Sequence, residues 1–246
     1  MFDVTAYGDG LASVYDTLYP TTPDADQAAQ FVNDEAPRGR VVELGVGTGR
    51  LALPMVKLGL RVHGVDASQR MLDLLAERDR EGLVEVTVGD FTRQLPAGPF
   101  DVGLVALNTL FMVPDRDRQI ETLRLLRSRL VPSGSVVVET YNPWYYHRLT
   151  EPRVDVHHLA PDRLMIDTSY ADRVTQTVVI VHAELDGGTP RKVVELSRYA
   201  WPSELDLMAR LAGLRLRDRF GGWNREPVTP ETPRYVSVFE VADADR

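Results

Sequence analysis

The stretch VVELGVGTGRLALP, residues 41–54, opens as an apolar run, closes with a helix-like one, and sets Gly45, Gly47 and Gly49 at every second position between them. A strand that turns into a helix over glycines lets a ligand approach the backbone closely, because no Cβ stands in the way. Three ligand chemistries compete for such a turn. A phosphate loop of the G-x-x-x-x-G-K-[ST] kind needs a lysine that reaches phosphate, and this turn has none. A dinucleotide turn, G-x-G-x-x-G/A, needs a small residue where this chain has Arg50, and Glu43 would repel a pyrophosphate. The spacing Glu43-x-Gly45-x-Gly47-x-Gly49 suits a third kind of ligand, one without phosphates whose positive charge Glu43 can balance.

Outward from this turn, apolar runs bounded by turn residues alternate with helix-period segments as far as Asn142, the pattern of a parallel sheet wrapped by helices. Strands are expected at 40–44, 60–65, 84–88, 100–106 and 135–140. Helices are expected at 49–58, 68–80 and 117–130, the second capped by Ser68. After Pro143 the texture changes. RLMIDTSY, VTQTVVIVHAEL and RKVVELSRYA, separated by short turns such as DGGTP, read as antiparallel strands. WPSELDLMARLAG then reads as a helix that starts after Pro202 and is closed by Gly213, followed by strands LRLRDRF and RYVSVFEV.

The bulk numbers narrow the function classes. Of 246 residues, 43% are hydrophobic and 26% charged, ordinary for a globular chain with a substantial core, and no window is apolar enough to span a bilayer. The first residues show neither a basic n-region nor an apolar h-region, so the cytoplasm is the expected location. No cysteine is present, which removes disulfides, thiolate metal sites and a cysteine nucleophile; no metal site is expected. The net charge is −8 and the arginines are interleaved with acids, as in PDRDRQIETLRLLRSRL, which points away from nucleic acid and toward a solvated helix face.

With these residues in place, VVELGVGTGRLALPM resembles the first motif of class I S-adenosylmethionine-dependent methyltransferases. Their cofactor carries an ammonium and a sulfonium that favour an acidic environment, and a carboxylate that can accept from N–H groups at a helix N-terminus. The resemblance implies cofactor contacts at Glu43, Gly45, Gly47 and Gly49. It also places Asp66, about twenty residues on at the end of RVHGVD, where a carboxylate accepts from both ribose hydroxyls, with Ala67 beside it. Met71 is similar to the residue beneath the adenine, where a soft thioether suits a flat ring, and also fits a core role. In VTVGDFTRQLP, Asp90 matches the acid that accepts from the adenine amino group, with Phe91 next to it. Leu107 and Asn108 follow the fourth strand, at the end where open α/β sheets bind ligands.

The segment SVYDTLYP resembles the N-terminal part of small-molecule methyltransferases acting on antibiotic sugars and related natural products. There, tyrosines close over the cofactor, so Tyr15 and Tyr19, four apart and able to share one helical face, are candidates for that role. The family implies an α/β, Rossmann-like seven-stranded sheet of order 3-2-1-4-5-7-6, here with an inserted antiparallel β layer. Residues 1–246 read as one methyltransferase domain: a helical cap at 1–36, a cofactor-binding core at 37–142, inserted strands at 150–200, and a closing helix with the last two strands at 202–246.

Methyl transfer from a sulfonium is an in-line displacement that loses cationic character at sulfur, so alignment and exclusion of water contribute most. A base is optional and depends on the acceptor. Candidate catalytic groups are Tyr19, Tyr141 and the pair His157 and His158, which are expected to fall with His147 in an irregular region between Tyr145 and the first inserted strand; His63 and His182 read as structural strand residues. Tyr141, Trp144, Tyr145 and Tyr146 are candidates to wall an apolar acceptor pocket, and Tyr199 and Trp201 lie at the return from the inserted strands. The expected reaction is S-adenosylmethionine-dependent methylation of an N or O atom of a small molecule. A carbon acceptor, a nicotinamide-dependent oxidoreductase and a non-catalytic cofactor-binding module are the alternatives. A homodimer paired through the inserted layer stays open.

Overall fold

Strand β1 (Arg40–Leu44) is buried on both faces, which is why VVEL reads as one apolar run interrupted by an acid and not as an alternation. Val41 packs into a core with Phe31, Met55 and Leu75, while Val42 faces the opposite core with Leu123, Leu126 and Phe239. The computed structural model describes residues 3–19 and 23–242; Pro20 of SVYDTLYP and residues 1–2 and 243–246 lie outside the described residues.

Before β1 come helices α1 (Ala6–Leu11), α2 (Tyr15–Leu18) and α3 (Pro23–Glu35). After it run α4 (Ala52–Lys57), β2 (Arg61–Asp66), α5 (Gln69–Arg78), β3 (Glu85–Val88), β4 (Phe100–Val105), α6 (Arg116–Arg127) and β5 (Leu130–Tyr141). The short α7 (Trp144–His147) leads into β6 (Arg153–Ala160), β7 (Arg163–Asp172), β8 (Thr177–Leu185) and β9 (Arg191–Arg198), and the chain closes with α8 (Pro202–Leu211), β10 (Leu214–Phe220) and β11 (Arg234–Val241).

The main sheet has the order β10-β11-β5-β4-β1-β2-β3, with β11 antiparallel to both its neighbours. Numbered within that sheet alone this is 3-2-1-4-5-7-6, the expected order. The second sheet, β6-β7-β8-β9, is antiparallel throughout. No helix among the described residues is long and apolar enough to cross a membrane.

Three local differences from the sequence reading have physical causes. Helix α4 starts at Ala52 and not at 49, because Gly49 takes φ +80, outside helical geometry. Strand β5 starts earlier than expected and meets β4 through a register irregularity between Phe100 and Val102. Strand β6 was not expected at all. It is an edge strand with no buried residue, so RVDVHHLA carries no inward-facing apolar set, and His157 and His158 lie in regular strand and not in an irregular entrance.

The N-terminal helices are fastened across the ends of the main-sheet strands. Ser68 caps α5, its Oγ accepting from the Met71 N–H at 3.2 Å, a contact that stabilises a helix by about 1 kcal/mol. The same hydroxyl donates to Asp9 Oδ1 at 2.6 Å. Asp16 accepts from Thr48 Oγ1 at 2.8 Å and pairs with Arg78. Leu11 and Val14 bury against Met165 of β7, so this segment also joins the inserted sheet to the core.

Candidate functional site

At the C-terminal ends of β1, β2 and β4 lies a cleft of about 270 Å³, walled by the N-terminal helices on one side and by the inserted sheet on another. Gly47 takes φ +55, and a Cβ built there would meet only the Gly45 carbonyl oxygen at 4.0 Å, so open space reaches the backbone of the turn. Asp66, at the end of β2, holds this turn: Oδ2 accepts from the Gly47 N–H and Oδ1 from the Ser68 N–H, both at 2.9 Å. Burial raises its pKa, partly opposed by these backbone N–H groups.

Glu43 sits behind the turn, 4% exposed, with Oε2 buried and lacking a hydrogen-bond partner. Burial pushes its carboxyl up to about 8, against the Arg50 guanidinium, which acts to lower it; Asp66 adds to the rise. A buried carboxyl left without a partner is costly, and a positively charged ligand group is the chemistry that relieves it.

Beyond β4 the chain turns sharply. Leu107 and Asn108 take φ +46 and +65, a left-handed pair that costs non-glycine residues about 1 kcal/mol or more each. Buried Glu139 compensates: its Oε2 accepts from the Leu107 N–H at 2.8 Å, while Oε1 takes the Arg234 guanidinium at 2.9 Å. Asn108 Oδ1 accepts from the Tyr141 N–H at 2.6 Å, which ties the corner to β5.

Most of the residues named from the sequence line this one cleft: Tyr15, Tyr19, Gly45, Gly47, Asp66, Ala67, Met71, Asp90, Phe91, Leu107, Asn108 and Tyr141. The Tyr15 and Tyr19 rings lie 4.9 Å apart, as their four-residue spacing allows. Four others do not line it. Glu43 lies behind the turn, and Gly49 faces α5, where a Cβ would fall 2.2 Å from Leu75 Cδ1, so its small size serves packing. His157 and His158 are exposed on β6. Of the aromatic group after β5, Tyr141 and Tyr146 reach the cleft, whereas Trp144 and Tyr145 are exposed and His147 bonds Tyr199 instead.

Several cleft residues escaped the sequence reading. Arg118, in the first turn of α6, lies 3.3 Å from Asp90 Oδ2 and donates to Thr92 Oγ1 at 2.5 Å, so the Asp90 carboxylate already faces a cation. Tyr7 of α1 reaches the cleft as well. His182, read as structural, stands in the cleft wall with Asp167 and Glu195. Its Nδ1 is 2.8 Å from Asp167 Oδ1 and its Nε2 3.3 Å from Glu195 Oε2. Burial opposes charge on this ring, but the two carboxylates outweigh it and push the pKa up to about 9. The available signal was His182 set within the apolar run of TVVIVHAEL.

Burial raises the phenols of Tyr7, Tyr15, Tyr19, Tyr141 and Tyr146 above the usual range, so each stays protonated near neutrality. The cleft therefore has one end bounded by Asp66, Met71 and Asp90, and another with carboxylates, neutral phenols and a charged imidazole. No group of three or more His, Asp or Glu among the described residues is arranged to hold a metal ion.

Residues 41–134 match a family described as a methyltransferase domain. A curated relative, cypemycin N-terminal methyltransferase from a Streptomyces species, is 29% identical over 98% of this chain and 99% of its own length. The solved structure of the CcbJ methyltransferase from Streptomyces caelestis superposes with a TM-score of 0.90 at 37% identity, covering 98% of this chain and 100% of that one. An S-adenosylmethionine-dependent methyltransferase from Clostridium acetobutylicum shares the fold at a TM-score of 0.82 and 14% identity, over 95% of this chain and 98% of that one.

Proposed function

Since the chain belongs to the S-adenosylmethionine-dependent methyltransferases, we propose that it transfers the cofactor's methyl group to an amine nitrogen of a small natural product. When bound, the cofactor supplies an electrophilic methyl on sulfur. Asp66 would hold the ribose hydroxyls, Met71 and Phe91 the faces of the adenine, and Asp90 with Arg118 its edge. The Gly45–Gly47 backbone would receive the amino-acid end, with Glu43 behind it as counter-charge to the ammonium, and the orphaned, buried carboxyl oxygen of Glu43 supports this fit.

The observation that carries nitrogen over oxygen is the chemistry of the acceptor end. Asp167 and Glu195 favour a cationic amine there. A hydroxyl benefits from a general base as its proton leaves, yet the phenols keep their protons and His182 is already charged. An amine asks only that one proton be removed, which a carboxylate can assist. Tyr7, Tyr19, Tyr141 and Tyr146 then exclude water and orient the acceptor, and the Tyr141 hydroxyl, buried without a partner among the described residues, is free to accept or donate to it. The N-terminal methyltransferase named above, similar over nearly the whole chain, supports an amine acceptor, and the SVYDTLYP resemblance supports a natural product.

The test is transfer of labelled methyl from S-adenosylmethionine to a panel of free-amine sugars and peptides, each beside its hydroxyl analogue. Amines are expected to be methylated and their hydroxyl analogues to stay unlabelled. Label confined to the hydroxyl compounds would overturn the reading.

Glu43 gives a pH signature. Below about pH 8 its carboxyl is protonated in the free protein, and a cationic ligand beside it favours ionisation. S-adenosylmethionine binding is therefore expected to release a proton near pH 7 and to tighten as pH rises toward 9. Calorimetry in two buffers of different ionisation enthalpy measures this, and Glu43→Gln should abolish it. In the free chain the raised pKa has a second consequence by linkage. The stability Glu43 contributes is complete below the ordinary pKa of 4.5 and is lost as pH rises through about 8.

A further inference from the structure

We propose that Asp167 takes up the proton shed by the acceptor amine and passes it through His157 to solvent, so that the inserted sheet carries a proton exit from the cleft. The inference rests on the amine reading given above. Four residues, one from each strand in spatial order, form a row on one face of this sheet: His157 on β6, Asp167 on β7, His182 on β8 and Glu195 on β9. Asp167 pairs directly with His182, while His157 and Glu195 stand one diagonal step away, opposite Met165 and Ile180.

The contacts are continuous. His157 Nε2 lies 3.1 Å from Asp167 Oδ2, and Asp167 Oδ1 lies 2.8 Å from His182 Nδ1. Asp167 lines the cleft, and His157, which does not, has a side chain 45% exposed against 4% for His182. Asp167 is thus the member of the row that touches both the cleft and a solvent-facing imidazole. Among the described residues Glu195 has no such outlet; it holds the far side of His182. His182 cannot serve as the acceptor, since its ring already carries its second proton near neutrality. Among the described residues, the other ionisable groups beside Asp167 and its two histidines are Asp155, opposite Asp167 on β6 and paired with Arg153, and the protonated phenols of Tyr7 and Tyr19.

The proton balance calls for an exit. An acceptor arriving as an ammonium gives one proton to the Asp167 carboxylate. The freed nitrogen lone pair bonds the methyl carbon, the C–S bonding pair stays on sulfur, and the product leaves as a methylated ammonium with S-adenosylhomocysteine. One proton is therefore left on Asp167 at each turnover. It passes from Oδ2 to His157 Nε2, and the half-exposed imidazolium loses a proton to water and resets by turning in solvent.

The test reads the route without an acceptor. In the full chain bound to S-adenosylhomocysteine, NMR follows exchange of the two His182 ring N–H protons with solvent. Exchange at Nδ1, which faces Asp167, is expected to slow by about tenfold in His157→Gln while Nε2, which faces Glu195, stays unchanged; imidazole in the buffer should restore the rate. Unchanged Nδ1 exchange, or equal shifts at both nitrogens as general loosening would give, overturns the relay. The methyl-transfer panel separately decides the amine reading. With a methylated amine in hand, His157→Gln should lower kcat at constant KM in an imidazole-rescued way, and failure of that rescue also counts against the relay.

Discussion

Replacing Asp66 by alanine is expected to weaken S-adenosylhomocysteine binding by about a hundredfold, or about 3 kcal/mol. In the free protein this carboxylate already accepts from the Gly47 and Ser68 N–H groups. Its removal therefore orphans two backbone donors as well as the ribose hydroxyls it is proposed to hold, and each unmade hydrogen bond of this kind costs about 1–3 kcal/mol. The glycine turn loses its anchor to β2 in the same stroke. Asp66→Asn keeps the shape and one acceptor oxygen, so its loss should be smaller. Calorimetric titration gives both values, with a thermal melt to show that the variants fold. An unchanged affinity in folded Asp66→Ala would disprove the ribose assignment.

Gly49→Val should destabilise the fold by about 2–4 kcal/mol, read as a lower urea midpoint. Two costs add. The residue sits at φ +80, which a β-branched side chain resists, and a Cβ there lies 2.2 Å from Leu75 Cδ1 and 3.3 Å from Leu53 Cγ. Leu75 belongs to the core beneath α5 and has little freedom to give way. Gly47→Ala separates the roles of these two glycines. At φ +55 with open space before it, its Cβ should cost only about 1 kcal/mol of stability while intruding on the ligand. A stability loss in Gly49→Val below about 0.5 kcal/mol would show that the α5 contact is not tight.

Both variants lie in the stretch where the sequence was most legible, and the reason is that its signals are local. An apolar run that ends in alternating glycines, an acid at the end of the next strand and a serine before a helix each declare themselves within a few residues. The sheet order came from the family resemblance that those motifs carry. Gly49 marks the limit of that reading: the motif shows that a side chain is excluded, whereas only the packed α5 shows that Leu75 excludes it. The inserted sheet was harder. Its edge strand β6 buries nothing, so RVDVHHLA has no hydrophobic alternation that points inward. Asp167, His182 and Glu195 meet only through hairpin register, across segments that each look like an ordinary half-buried strand. Arg118 was hidden for a similar reason, since in PDRDRQIETLRLLRSRL nothing local separates the arginine beside Asp90 from those on the solvated face.

The distribution of charge links these parts into one mechanism. Glu43 and Asp66 make the turn end acidic, the phenols close the middle without acting as bases, and Asp167 with Glu195 make the acceptor end acidic again. A cationic cofactor and a cationic amine would otherwise repel each other in a confined, water-poor space. On the proposed amine reading, carboxylates on either side would offset that repulsion, and the one beside the amine would take its proton.

The most direct measurement is therefore a competition inside one molecule. An amino sugar bearing one free amine and several hydroxyls is incubated with the enzyme and S-adenosylmethionine carrying a carbon-13 methyl, and NMR of the product locates the label. The account predicts the labelled methyl on nitrogen, with one S-adenosylhomocysteine formed for each methyl transferred. A labelled methyl on oxygen, with the amine untouched, would contradict it.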